Sequence, residues 1–138
     1  MTDTAAPTDR FAQGQRKLKD FGQGPGQDTT AQVMDVIRKV APHLERQVYE
    51  FVLGDVLSRP GLDTQQRELI NLGVLTALGA ELELKLHAHV ALNCGCTRVQ
   101  VSEAVAQQAV YAGFPRAING LKVLGEVYSE RDAQGVAN

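Results

Sequence analysis

The chain has no tryptophan, only two cysteines and no apolar run long enough to span a bilayer. No charge of one sign dominates either: Lys and Arg total 14, Asp and Glu 16, for a formal net charge of −2. That near-balance gives no support to a nucleic-acid-binding surface, and the missing apolar run gives none to a membrane-spanning helix. Cys94 and Cys96 stand one residue apart. A bridge between them would close a tiny loop and cross-link nothing, which excludes a disulfide framework. The opening MTDTAAPTDR is polar and has no signal-peptide core, so the expected location is the cytoplasm. What is present is 138 residues, 43% of them hydrophobic: the size of one ordinary domain, with enough apolar side chains for a sizeable core.

Gly14, Gly22, Gly24, Pro25 and Gly26 punctuate the start. We read residues 1–28 as a polar tail, a short helix near 8–20 and a glycine-rich link, residues 29–130 as a helical domain, and 131–138 as a second tail. Val33, Val36, Ile37 and Val40 recur at helical spacing, and Pro42 should break or kink that helix. Leu44, Val48, Phe51 and Val52 predict one face of the next. In LDTQQRELINLGVLTALG, Asp63 or Thr64 can cap a helix start and Gly79 its end. Thr97-x-x-Gln100 reads as a capping box before a helix whose stripe is Val101, Val105, Gln108, Ala109 and Ala112. Gly113 suits the end of that helix, and Pro115 opens a last one to about Ser129.

The stretch ELELKLHAHVALNCGCTRVQ, residues 81–100, holds two histidines and two cysteines. Its first ten residues alternate polar and apolar, the pattern of a half-buried strand, which would put His87 and His89 on one face. Its Glu, Leu, Lys and Ala are helix formers, and a lone strand here would have nothing to pair with. We take it as a helix. The two histidines then point in nearly opposite directions and cannot chelate one ion. With Cys94 and Cys96 they match no standard zinc spacing, so no metal is expected. Apolar residues would occupy most of this helix's circumference, which suits a bundle or an oligomer.

RFAQGQRKL, RPGLDTQQRELINLGVLTALG and ELKLHAHVALNCGCTRVQVSEAVAQQAVYAGFPRAINGL resemble, in order and spacing, the carboxymuconolactone decarboxylase family, over Arg10 to about Tyr128. The resemblance implies an all-α helical bundle of the alkylhydroperoxidase D-like type with about six helices. It also implies a homo-oligomer, typically a trimer or hexamer, and chemistry on a small organic acid. His87 holds the family's histidine position, and Glu68 matches a glutamate that the superfamily's peroxidase branch uses with its histidine. That branch has a Cys-x-x-Cys pair before the histidine. Here those positions are Ala80 and Glu83, and the two cysteines follow the histidine instead. The family's decarboxylases tend to have tryptophans in the stretch matching EFVLGDVLSRPG. Phe51, Val56 and Leu57 would shape that wall here.

The implied reaction is decarboxylation of 4-carboxymuconolactone or a related lactone acid. It needs no cofactor, because the lactone carbonyl accepts the electrons left by CO2. His87 is the expected general acid, with Glu68 orienting it. The bland alternatives are a core His87 satisfied by Glu83 and a Glu68 that only complements a helix N-terminus. Helical rise sets the two residues roughly 7 Å apart along the hairpin axis, so a substrate or water between them fits better than a direct bond. Gly73 falls opposite His87, and leaves either room for a pocket or close helix packing. Arg67 and Arg98 are the candidate cations for the substrate carboxylate, and Glu83, on the His87 stripe, is expected with them and Gly73 at the substrate. His89 reads as an interface or surface residue, and the cysteines as small buried thiols. Two other functions stay open: a thiol peroxidase using Cys94 and Cys96, and a member repurposed for natural-product tailoring or ligand binding.

Overall fold

The computed structural model describes residues 9–21, 24, 25 and 27–136, with residues 27–29 described by backbone only. The expected polar tail and most of the glycine-rich link lie outside them. All regular elements among the described residues are helical: α1 (Arg10–Phe21), α2 (Gln27–Val40), α3 (Pro42–Gln47), a π-helical segment (Val48–Val56), α4 (Thr64–Leu78), α5 (Glu81–Asn93), α6 (Arg98–Ala106), α7 (Gln108–Tyr111) and α8 (Phe114–Ala133). The alternating stretch is therefore helix, as its composition predicts.

Local chemistry sets the boundaries. Asp63 accepts from the Gln66 N–H at 2.8 Å while the Gln66 side chain accepts from the Asp63 N–H at 3.0 Å. Thr97 and Gln100 form the same reciprocal box before α6. Gly79, at φ +73°, ends α4 in the left-handed conformation and folds α5 back against it. The predicted single helix through Ala112 is instead divided at Gln107, and α8 runs past Ser129 to Ala133. Arg131, placed in a tail by the sequence reading, is 1% exposed and donates to Asn93 Oδ1 at 2.9 Å.

α1 belongs to the folded body rather than to a tail. It lies backbone to backbone against the π-helical segment: a Cβ at Gly14 would run into the Tyr49 carbonyl, and one at Gly54 into the Arg10 carbonyl. The Phe11 and Tyr49 rings sit 5.0 Å apart beside this contact. The face expected from Leu44, Val48, Phe51 and Val52 is not the buried one. Tyr49, Leu53 and Gly54 point inward, and Phe51 is 62% exposed. The Leu57 N–H reaches back five residues to the Val52 carbonyl, and that wider turn breaks the 3.6-residue period. Of the wall residues expected there, Phe51 and Val56 are exposed and only Leu57 packs inward. On α2, Met34 is buried and Ile37 half-buried, while Val33, Val36 and Val40 are exposed.

Two apolar clusters result. One joins Leu72, Leu84, Ala88, Val101, Val105, Leu124 and Val127 from α4, α5, α6 and α8. The other joins Phe21, Met34, Tyr49, Leu53 and Val90, with Leu86 and Cys94 against it. At 100° per residue, Leu86, Val90 and Cys94 share one side of α5, and Leu84, Ala88 and Ala91 another. His87 falls on the boundary between the two.

Candidate active site

Glu68 sits on the inward face of α4 and is 1% exposed. Its Oε1 accepts from Asn71 Nδ2 at 3.2 Å, and its Oε2 lies 2.7 Å from His87 Nδ1. A carboxylate can only accept, so Nδ1 carries the hydrogen and the tautomer is set. The other ring nitrogen, Nε2, has no hydrogen-bond partner among the described residues, and the His87 side chain is 31% exposed. The ring is thus anchored at one nitrogen and available at the other. This contact corrects the expectation of an intervening water or substrate. Helical rise locates Cα atoms, and the two side chains together span the offset.

The structure separates other residues from this pair. Gly73 lies about 140° around α4 from Glu68. It borders a groove of about 580 Å³ between α4 and the α6–α7 region, with Leu69, Val74 and Gln108. A Cβ there would stand 3.0 Å from Gln108 Nε2, so the room belongs to Gln108 and not to His87. Glu83 is exposed in the first turn of α5, and His87 bonds Glu68 in its place. Arg98 is bound to Asp132 at 2.6 Å and lies 5.0 Å over the Tyr128 ring. Arg67 donates through Nη2 to the Arg59 carbonyl at 2.8 Å, with its Nε buried and unpaired.

His89 is not a surface residue in this chain. It is 5% exposed, bonded through Nε2 to Glu130 at 3.2 Å, with Nδ1 buried and unpaired. Burial lowers its pKa, against the opposing pull of Glu130. Burial also pushes the Cys94 thiol up to about 11, and the Glu68 carboxylate adds to it. The Cys96 thiol is raised by the same two causes. Both sulfurs are therefore held as thiols near neutrality, which disfavours nucleophilic use. Among the described residues no three His, Cys, Asp or Glu side chains are grouped to hold a metal.

Two neighbours escaped the sequence reading. Asn71 is three residues from Glu68, a spacing that could have flagged it. Lys17 donates to Thr64 Oγ1 at 2.9 Å across 47 residues of sequence, which no local pattern signals.

The model of the carboxymuconolactone decarboxylase family matches residues 42–126. Nitrosuccinic acid decarboxylase npaB of Metarhizium robertsii is 34% identical over 125 residues, spanning 87% of each chain. The 4-carboxymuconolactone decarboxylase of Acinetobacter baylyi is 35% identical over 83 residues, 60% of this chain and 62% of the relative. An uncharacterized 15.0 kDa protein in the nqo9-nqo10 intergenic region of Paracoccus denitrificans is 29% identical over 103 residues, 73% of this chain and 77% of its own. Two of these three relatives are named as decarboxylases, which supports a carboxy-lyase. With the family model covering more than half of its residues, and a relative matched along nearly its whole length, the chain belongs to the carboxymuconolactone decarboxylase family.

Proposed function

We propose that this chain is a cofactor-independent decarboxylase of a small dicarboxylic acid that carries its own electron sink, with 4-carboxymuconolactone or a related lactone acid as first candidate and nitrosuccinic acid as second. The observation that carries the reading is the buried Glu68 carboxylate 2.7 Å from His87 Nδ1, with Nε2 left available. The names of two relatives supply the candidate acids.

Both acids demand the same two services. Breaking the carbon–carboxylate bond releases CO2 and leaves its electron pair on carbon. In the lactone the pair runs through the ring double bond to the carbonyl oxygen; in nitrosuccinic acid it runs into the nitro group. A proton must then return to carbon. His87, protonated at both nitrogens, keeps Nδ1–H on Glu68 and delivers the proton on Nε2; the neutral ring is recharged from water. Glu68 fixes the ring's orientation and takes no part in bond breaking. The acting form is a homo-oligomer, a trimer or hexamer, a reading supported by the exposed Val36, Val40, Val110, Tyr111 and Phe114.

The test is CO2 release from each acid by the wild type and by His87→Asn. Turnover of either acid that falls sharply in the variant is the expected result. A folded wild type that decarboxylates neither acid would overturn the reading.

A further inference from the structure

Both candidate acids keep a second carboxylate after CO2 leaves, so the site needs a cation that holds it without neutralising His87's partner. Arg98 is already paired with Asp132, and Arg67 is turned to the Arg59 carbonyl. Lys17 is differently placed. It is half-buried, and its ammonium contacts the Thr64 hydroxyl at 2.9 Å and lies 5.5 Å from the Phe21 ring. No carboxylate is within ion-pair reach of it among the described residues, whereas the half-buried Lys85 has Glu126 and Glu130. A hollow of about 230 Å³ lined by Gln13, Arg16, Lys17, Asp20 and Ser58 opens beside it.

Thr64, Glu68 and Asn71 follow one another at i, i+4 and i+7 along a single stripe of α4. The Thr64 Cα therefore stands one helical turn, about 6 Å of rise, before that of Glu68. The ammonium and the Glu68 carboxylate also act with opposite sign on the same thiol, Cys94, so both lie around one end of α5. We propose that Lys17, with Thr64 as a second donor, binds the retained carboxylate of the substrate and so orients the departing one toward His87. Thr64 accepts from Lys17 and keeps its own hydroxyl hydrogen to give. This assignment rests on the decarboxylase reading for its substrate, and on Lys17 and Thr64 for its geometry.

The deciding measurement is calorimetric binding of monomethyl succinate and of dimethyl succinate to the wild type, Lys17→Met and Lys17→Arg. The wild type should prefer the monoanion to the neutral diester by roughly ten- to a hundredfold, the range of one charge-assisted contact. Lys17→Met should bind both probes alike, and Lys17→Arg should keep most of the preference. A preference that survives in Lys17→Met, or is absent from the wild type, overturns the assignment. Lys17→Met should also bind the neutral diester as tightly as the wild type does, which a damaged fold would not. In turnover, Lys17→Met should raise KM far more than it lowers kcat. Absence of turnover in a wild type that still discriminates the probes overturns the reaction and leaves the cation's role standing.

Discussion

His87 and His89 are two positions apart on α5 and meet opposite fates, because two steps on a helix turn a side chain by about 200°. His87 is held by Glu68 at the border of two apolar clusters; His89 is packed against Glu130. Replacing a positioned general acid costs on the order of 10²–10⁴ in rate, so His87→Asn should lose that much CO2 release while keeping its helicity by circular dichroism. His89→Gln should stay within roughly tenfold in turnover and change the pH dependence of stability instead. The folded chain disfavours protonated His89, so the unfolded chain binds that proton more readily. The stability contributed by neutral His89 is complete above the ordinary histidine range and drains away as pH falls through the depressed folded value. Melting curves between about pH 7 and about pH 5 should therefore decline less steeply for His89→Gln than for the wild type. The pairing of Glu68 with His87 was legible only through the family resemblance. Counting helical rise gave heights along the axis but neither side-chain reach nor azimuth. That is why the direct bond was missed and Gly73 was set on the wrong side of α4.

The elements whose ends depend on neighbouring residues were the legible ones. Asp63 with Gln66, Thr97 with Gln100, and Gly79 each act within one turn of chain, so sequence alone displays them. Asp63→Ala should lower stability by about 1 kcal/mol in urea denaturation without altering the site. The π-helical segment is the opposite case. Its buried set of Tyr49, Leu53 and Gly54 is selected by five-residue hydrogen bonds and by the approach of α1, and both are invisible to a 3.6-residue period. The two glycines let the backbones meet, so Gly54→Ala should destabilise by about 2–3 kcal/mol, with the loss seen as a lowered denaturation midpoint. Gly14, read in the sequence only as punctuation and as part of the family's opening motif, has its physical explanation in the same contact.

At the scale of the molecule, the described chain leaves much apolar surface uncovered, on α2 through the π-helical segment and again on α7 and α8. The apolar girth of α5 predicts assembly, yet α5 is largely buried within the chain, and apart from Leu82 in its first turn the exposed large apolar residues lie on other elements. Val36, Val40, Phe51, Tyr111 and Phe114 are what a second copy would cover; light scattering at micromolar concentration should give a mass of at least three chains, and a monomer would refute the assembly. α5 has its own consequence. It supplies side chains to both clusters, so neither can come apart without exposing part of it. In deuterated water, the amides from Leu84 to Leu92 should exchange last, at the rate of global opening, while those of the sparsely covered α2 exchange earlier through local fluctuations. The helix that carries His87 would then be the one whose hydrogens report the stability of the whole.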